Sequence, residues 1–233
     1  MSTPVTETPR GSVPARRAFS LPEVAFLIGV PLLWAILLLF HPTGDGDEYY
    51  PIVKDDVTAW MTVHIGMMLF IPLMAGVVFL LLRGVTGPAA LVSRIALAPF
   101  VVFYGAYETL AGLGSGILAN EVNALPEAER ATGAQLIQDF NGSKLLADPG
   151  VLNSIGTVAL VVAAVAAGIA LYRRAGAPIA VPILLGLSAP LVAMHPPPYG
   201  PIGLVLFTAT VLVALRARSP ARAPALAPQP GPA

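Results

Sequence analysis

Six long apolar stretches, separated by short polar segments, restrict what this chain can fold into. A helix that crosses the roughly 30 Å hydrocarbon core of a bilayer needs about 20 predominantly apolar residues, and the stretches are of this order. They predict six transmembrane helices, at residues 19–40, 58–82, 95–119, 151–172, 178–194 and 200–215. The sequence is therefore expected to form an all-α, polytopic membrane protein.

The composition excludes an ordinary soluble domain. Only 11% of the residues are charged and 56% are hydrophobic, whereas a soluble domain is about 25% charged. The formal net charge is zero, so the chain has no basic excess of the kind that nucleic acids attract. Cysteine is absent, which excludes disulfides, thiolate metal sites and a cysteine nucleophile. The lipid bilayer is thus the first partner that the sequence predicts.

Arginine and lysine divide unevenly between the two sides of the predicted bundle. Cytoplasmic loops of membrane proteins carry an excess of these residues, and ten of the thirteen fall on one side, the exceptions being Lys54, Arg130 and Lys144. The rule places the richer side, with both termini, in the cytoplasm. Arginine outnumbers lysine, and alanine, glycine and proline are abundant. This composition is typical of a GC-rich genome, so we expect the membrane to be a bacterial plasma membrane.

The parts outside the predicted membrane domain, residues 18–216, are small. Residues 1–17 are rich in proline, threonine and arginine, and residues 217–233 are rich in alanine and proline. We expect both to be disordered cytoplasmic tails, because such segments bury too little apolar surface to fold. Between the third and fourth spans, Pro126 precedes Glu127 and Glu129, and apolar residues recur after them at helical spacing. This pattern predicts a short amphipathic helix on the outer surface.

Glu108 lies deep inside the third predicted span. An ionisable group in hydrocarbon is costly and is by default a functional hypothesis. With a rise of about 1.5 Å per residue, Glu108 lies about 18 Å below Asn120, near the bilayer midplane. Tyr104 lies one turn before it, and Tyr107 is its neighbour. The structural alternative is a protonated carboxyl group that hydrogen bonds to a tyrosine or serine of an adjoining helix.

The three histidines all lie toward the predicted outer side. His41 ends the first span, His64 lies about 9 Å inside the second at helical rise, and His195 ends the fifth. His195 opens the run His-Pro-Pro-Pro-Tyr-Gly-Pro, which cannot be helix interior because proline lacks the backbone N–H. The run predicts a stiff turn that fixes His195 and Tyr199 at the mouth of the bundle. For His64, a hydrogen bond to a backbone carbonyl or to Asn153 is the structural alternative to a ligand role.

One interpretation of these polar residues is a cavity that opens outward and binds or translocates a small solute or protons. The residues expected to line it are His64, Tyr104, Tyr107, Glu108, Asn153 and Tyr199. Internal repeats of the transporter kind are not visible in the sequence, which counts against an inverted-repeat carrier.

A second interpretation is a metal site formed by His64 and His195, with His41 or Glu108. Zinc suits such ligands, since a catalytic zinc site has three protein ligands and an open position for water. The same two histidines could be axial ligands of haem b, or could join methionines in a copper(I) site. That copper set is Met61, His64, Met68, Met194 and His195. At helical rise, however, His64 and Glu108 differ in depth by about 10 Å, which argues against one shared ion.

No strong catalytic motif, such as His-Glu-x-x-His or Gly-x-Ser-x-Gly, occurs in the sequence. We therefore expect an integral plasma-membrane protein that binds or translocates a small solute or protons. The alternative is a metal- or haem-dependent membrane enzyme or electron carrier that uses His64 and His195. A third interpretation is a non-catalytic subunit of a larger membrane complex, and association with copies of the same chain is left open.

Overall fold

The computed structural model describes residues 18–44 and 48–218. In this part of the chain every regular element is a helix, and there are no strands. The prediction of an all-α fold is therefore confirmed. The tail predicted at residues 1–17 lies outside the described residues, as do residues 45–47 and residues 219–233 of the tail predicted at 217–233. The first two residues of that C-terminal tail, Ala217 and Arg218, are instead the end of the last helix, so the predicted boundary was two residues too early.

Eight helices follow one another along the described chain. They are α1 (Leu21–Leu38), α2 (Tyr49–Val53), α3 (Val57–Leu81), α4 (Pro88–Ala124), α5 (Glu127–Asn141), α6 (Val151–Ala175), α7 (Ala180–Ala193) and α8 (Tyr199–Arg218). Five of them, namely α1, α3, α4, α6 and α8, are long and apolar enough to cross a membrane. These five coincide with five of the six predicted spans, and they give the chain the build of a membrane protein.

Helix α7 is shorter than the span predicted at residues 178–194. It has 14 residues, which at helical rise is about 21 Å, against the roughly 30 Å of a bilayer core. It ends at Ala193 because three consecutive prolines, Pro196 to Pro198, follow soon after, and proline cannot extend a helix without losing backbone hydrogen bonds. By length alone, α7 falls short of the five long helices.

Helix α4 is longer than the span predicted at residues 95–119. It begins at Pro88, directly after Gly87, whose φ of 113° lies in the region that glycine tolerates. At the other end it continues to Ala124, where residues 115–124 pack against α2 and α5. Polar residues in both extensions hide their helical character from a search for apolar runs.

Six of the eight helices, all except α2 and α5, pack in a closed ring. Around it, α1 packs against α3, α3 against α4, α4 against α6, α6 against α7, α7 against α8, and α8 again against α1. The interior is filled by large buried side chains, among them Trp34, Phe100 and Phe207, and by the alanine-rich face of α6. Every helix of the ring therefore has one face toward a common interior, where a polar group is out of reach of solvent.

One end of the ring is held together by arginines. Arg83, which follows α3, pairs with Glu23 in the first turn of α1. Arg218 at the end of α8 donates hydrogen bonds to the carbonyl oxygens of Leu81 and Arg83. The guanidinium carbons of Arg83 and Arg218 also lie 4.6 and 4.8 Å from the centre of the Phe19 ring. These contacts join the start of α1, the end of α3 and the end of α8.

The opposite end of the ring is covered by α2 and α5. A small hydrophobic cluster joins these two helices to α3 and α4, and consists of Val53, Trp60, Ala119, Val122 and Ile137. The Tyr50 hydroxyl donates to Asn123 Oδ1 at 2.8 Å, and Asn123 Nδ2 donates to the Lys54 carbonyl oxygen at 3.0 Å. Helix α5 falls where the sequence predicts an amphipathic helix, whereas α2 has only five residues and was not expected.

Candidate metal centre

Helix α4 contains two π-helical segments, Phe100–Tyr104 and Glu108–Gly114. Backbone hydrogen bonds in a π-helix join residues five apart, so its turns are wider than those of an α-helix, and such segments occur frequently at functional sites. Tyr104 ends the first segment and Glu108 begins the second, and their side chains are 0% and 1% exposed. The widened turns therefore carry two of the three polar side chains of α4 that the sequence singles out, and the third, Tyr107, lies between them.

Three histidines from separate elements meet beside Glu108. His41 follows α1, His64 lies about two turns into α3, and His195 lies in the turn between α7 and α8. One nitrogen of each ring lies within 4.8 Å of the nitrogens of the other two. The ring centre of His41 is 5.1 Å from that of His64 and 5.0 Å from that of His195. We call these three residues the histidine cluster.

Backbone contacts fix the protonated nitrogen of two of these rings. Nδ1 of His41 lies 2.7 Å from the carbonyl oxygen of Pro42, and Nδ1 of His64 lies 2.8 Å from that of Trp60. A carbonyl oxygen can only accept, so Nδ1 carries the proton in both rings and Nε2 keeps a free lone pair. Histidines that bind metals almost always donate their other N–H in this way, commonly to a backbone carbonyl or a carboxylate.

The two histidines outside the helices are held in the neutral form. Burial lowers the pKa of His41 below its ordinary value. Burial, followed by the proximity of His41 and His64, lowers the pKa of His195 well below its ordinary value. Desolvation disfavours the imidazolium ion, and the neutral ring is the form that has a lone pair for a metal.

Glu108 touches two members of the cluster. Its Oε2 lies 3.7 Å from Nε2 of His64, and its Oε1 lies 3.4 Å from Nδ1 of His195. The expectation that His64 and Glu108 differ in depth by about 10 Å is therefore wrong.

The error has two physical sources. The prediction took Asn120 as the outer end of the third span, whereas α4 continues to Ala124 and its last turns rise beyond the start of α3. A π-helical segment also advances less per residue than an α-helix, because its turns hold more residues. Trp60 near the start of α3 consequently lies level with Gly112, to whose carbonyl oxygen its indole nitrogen donates.

Two buried polar atoms of the site make no hydrogen bond with any described residue: Nε2 of His41 and Oε1 of Glu108. More than nine in ten buried polar groups in proteins have a partner, and an exception calls for an explanation such as a bound ion or water. The free nitrogen belongs to a ring whose other nitrogen is already fixed, and the free oxygen faces a second ring of the same cluster. Both atoms are suited to a small polar ligand between the four side chains.

The cluster matches the size of one transition-metal ion after a small contraction. Because no two of the nitrogens are more than 4.8 Å apart, an ion at the centre of an equilateral triangle of that size would lie at most ~2.8 Å from each nitrogen. Each ring then has to move inward by no more than ~0.7 Å to reach a Zn–N distance of about 2.0–2.1 Å. Three imidazoles with a nearby carboxylate form a donor set that suits zinc and other first-row divalent ions.

The packing agrees less well with haem or with a soft copper site. The rings of His64 and His195 already lie edge to face, with centres 5.9 Å apart, and this leaves no slot between them for a porphyrin. In the copper set, the side chains of Met68 and Met194 are 42% and 50% exposed, so they lie apart from the buried cluster. A single ion bound by the histidines fits these positions best.

The other residues predicted for the site divide into two groups. The Tyr104 hydroxyl donates to the Ala193 carbonyl oxygen at 3.0 Å and lies 3.5 Å from Nδ1 of His195, and Tyr107 is buried beside Tyr104. Asn153 instead hydrogen bonds to Asp148 and Thr157. The remaining residue, Tyr199, is 50% exposed. Tyr104 and Tyr107 thus belong with the cluster, and the last two do not.

Two residues at the site were not expected to have a role there. Trp60, one turn before His64, packs its indole against the rings of His41 and His64, with centres 5.0 and 4.5 Å apart. Gly112, one turn after Glu108, packs against His64 with no room for a side chain. Their signal in the sequence is their position four residues from a candidate site residue, on the same helical face.

Comparison of the chain with models of protein families, with curated proteins and with solved structures gives no match. The chemistry of the histidine cluster and of Glu108 is therefore the guide to the function of the chain.

Proposed function

We propose that this chain is a metal-dependent membrane enzyme in which His41, His64 and His195 bind one zinc ion. The observation that carries the proposal is the convergence of three imidazole nitrogens within 4.8 Å. Two further features support it. Two rings have their Nδ1 protons fixed by backbone carbonyls, and the fourth polar side chain, Glu108, is buried beside the cluster with one oxygen that makes no hydrogen bond to any described residue.

The proposed reaction is hydrolysis. Zinc with three protein ligands keeps a position for water and lowers the pKa of that water to about 7. Glu108 lies next to two of the ligands, so it is placed to accept a proton from the bound water. Zinc held by the three histidines would supply an activated water for attack on a carbonyl or phosphoryl centre, and Glu108 would pass the proton it accepts to the leaving group as the bond to that group breaks.

We also propose that α7 crosses the membrane in addition to the five long helices, which gives the membrane domain six spans. The histidine cluster then lies at the outer end of this domain. Support comes from the arginines and lysines of the described residues, six of which, out of nine, lie toward the end opposite to the cluster. In this arrangement both termini are in the cytoplasm of a bacterial cell, and α2 and α5 cover the site on the outer surface.

Binding or translocation of a small solute or protons is a second proposal. It is supported by the burial of Glu108 and Tyr104 inside a helical ring. Two of the residues expected to line the cavity, Asn153 and Tyr199, have other partners or an exposed position, so the metal site has the stronger support. A non-catalytic subunit of a larger complex would need no such cluster.

The metal content of the detergent-purified protein tests the proposal. We expect one zinc ion per chain, lost when any one of the three histidines is replaced by alanine. Tyr199→Phe is the matched control, because Tyr199 lies close in sequence to His195 but is half exposed, and it should keep the metal. If the chain holds no zinc after purification and none after dialysis against zinc, the metal site is refuted. A Soret band in the absorption spectrum would show that the protein binds haem instead.

A further inference from the structure

Trp60 is not a candidate metal ligand, but it contacts the site through its ring, its indole N–H and its backbone carbonyl oxygen. Its side chain is 5% exposed, and its ring lies against the rings of His41 and His64. Its carbonyl oxygen accepts the Nδ1 proton of His64 at 2.8 Å. Its indole N–H donates to the carbonyl oxygen of Gly112 at 2.7 Å. One residue of α3 therefore contacts two candidate ligands and the segment of α4 that begins with Glu108.

The hydrogen bond to Gly112 acts on an unusual part of the backbone. Gly112 lies in the π-helical segment Glu108–Gly114, where the hydrogen-bond register differs from that of the flanking α-helix, so a side-chain donor can stabilise one register over the other. Trp60 supplies such a donor from the neighbouring helix. The bond consequently favours the wide turn that brings the carboxyl group of Glu108 to the histidine cluster.

The same bond sets the position of His64. A Cβ at Gly112 would lie 2.8 Å from Nε2 of His64, so the backbone of Gly112 forms the wall against which that imidazole packs. The indole N–H of Trp60 holds the Gly112 backbone, and its carbonyl oxygen accepts the Nδ1 proton of His64. Trp60 therefore fixes the position of the imidazole ring from two sides. A shift of the wall would move the nitrogen that is free for the metal.

We propose that Trp60 is a positioning residue of the metal centre, which acts through its indole N–H to hold the π-helical segment and the His64 ring in the geometry that binds the ion. The inference rests on the proposed metal site and adds the residue that orients it. The Trp60 carbonyl oxygen that accepts the Nδ1 proton of His64 belongs to the backbone and is kept in any substitution, so the proposal concerns the indole N–H alone. Hydrogen bonds that orient metal ligands from outside the ligand set typically contribute a factor of about 10–100 to metal affinity.

The other tryptophan of the chain provides a matched comparison. Trp34 is also fully buried, and its ring stacks on Phe70 with centres 6.2 Å apart. Its indole nitrogen has no hydrogen-bond partner among the described residues. Replacing either tryptophan by phenylalanine removes similar apolar volume from the interior, but only Trp60→Phe removes a donor that reaches the site.

The experiment is a zinc titration of the purified full chain in detergent, in competition with a chelator of known affinity. We expect about 10–100-fold weaker binding for Trp60→Phe and unchanged binding for Trp34→Phe, although both lower the unfolding temperature. Equal affinities in the two variants would overturn the positioning role. Failure of the unsubstituted chain to bind zinc would instead overturn the proposed function, so the two failures are distinguishable.

A second variant keeps the test decisive if Trp60→Phe does not fold. Incorporation of 3-benzothienylalanine at position 60 replaces the indole N–H by sulfur and preserves the shape of the ring. Packing is then retained and only the hydrogen bond to Gly112 is lost. The inference expects the same weakening of zinc affinity in this protein, and affinity equal to that of the unsubstituted chain would contradict it.

Discussion

Gly112 packs so closely against His64 that a Cβ at this position would lie 2.5 Å from Cγ of the imidazole and 2.8 Å from its Nε2. Atoms at such distances overlap, and the neighbour is a buried ring whose Nδ1 is already tied to the Trp60 carbonyl oxygen. The ring cannot yield by a simple rotation without breaking that bond. The absence of a side chain at Gly112 is thus a requirement of the site, beyond what helix packing alone would explain.

Gly112→Ala is expected to remove zinc binding. The added methyl group displaces the His64 ring, and overpacking of this kind costs about 1–3 kcal/mol of stability in a well-packed interior. Gly105→Ala is the control, because it lies in the same helix and a Cβ there meets nothing within 4 Å. Metal content and thermal unfolding of the two purified variants give the answer. Full zinc occupancy in Gly112→Ala would contradict the close contact.

Glu108→Gln is expected to keep the zinc ion but to lose hydrolysis. The glutamine amide preserves the volume of the side chain and cannot accept the proton of a metal-bound water, and loss of a general base lowers the rate by about 10²–10⁴. Glu108→Ala should also unfold at a lower temperature, because it leaves a cavity in the interior. Release of nitrophenol from detergent-soluble nitrophenyl esters, with zinc content measured in parallel, checks this. If Glu108→Gln loses the metal, Glu108 is a ligand and its assignment as a base is wrong.

Apolar runs were sufficient to predict the long helices, because a bilayer sets both their length and their composition. They were not sufficient for the relative depth of His64 and Glu108. That depth depends on where α4 ends and on its π-helical turns, and the sequence around Gly105 and Gly112 carries no signal for either. Helix α2 was missed for a similar reason, since five residues are too few to show a period.

The histidines illustrate what a sequence can say about a site. Their position near one end of three predicted spans follows from counting residues, and a metal site was one of the open interpretations. Which of them meet, and which nitrogen of each is free, depends on side-chain contacts such as that between His41 and the Pro42 carbonyl oxygen. Asn153 was expected at the site as a partner for His64 across the bundle, but its side chain donates to Asp148 instead, and His64 donates to the Trp60 carbonyl oxygen.

Gly156→Ala is expected to destabilise the bundle by about 1–3 kcal/mol. A Cβ at this position of α6 would lie 2.6 Å from the backbone nitrogen of Tyr104 in α4, and backbone atoms cannot give way as a flexible side chain can. Gly29→Ala in α1 is the control, since a Cβ there meets nothing within 4 Å, and it should be neutral or stabilising by up to about 1 kcal/mol. Thermal unfolding in detergent compares them, and equal stabilities would mean that α4 and α6 approach less closely.

The six-span arrangement makes a prediction about which ends of the helices share a side of the membrane. Since α8 is long enough to cross the membrane, Arg174 near the end of α6 and Arg218 at the end of α8 fall on the same side only if α7 crosses as well. A reporter active only in the cytoplasm should therefore be active when fused after Arg174 and after Arg218, and silent after Asn123 near the end of α4.

The contacts at the arginine-rich end give a physical reason for this expectation. Arg218 donates to the carbonyl oxygens of Leu81 and Arg83, and a Cβ at Gly87 would lie 3.6 Å from Nε of Arg174. The ends of α3, α6 and α8 are therefore neighbours. Helix α7, although only 14 residues long, begins shortly after α6 ends there and ends two residues before His195, so it must carry the chain from this end to the histidine cluster. Activity after Arg174 with silence after Arg218 would show that α7 does not cross, and activity after Asn123 would overturn the whole topology.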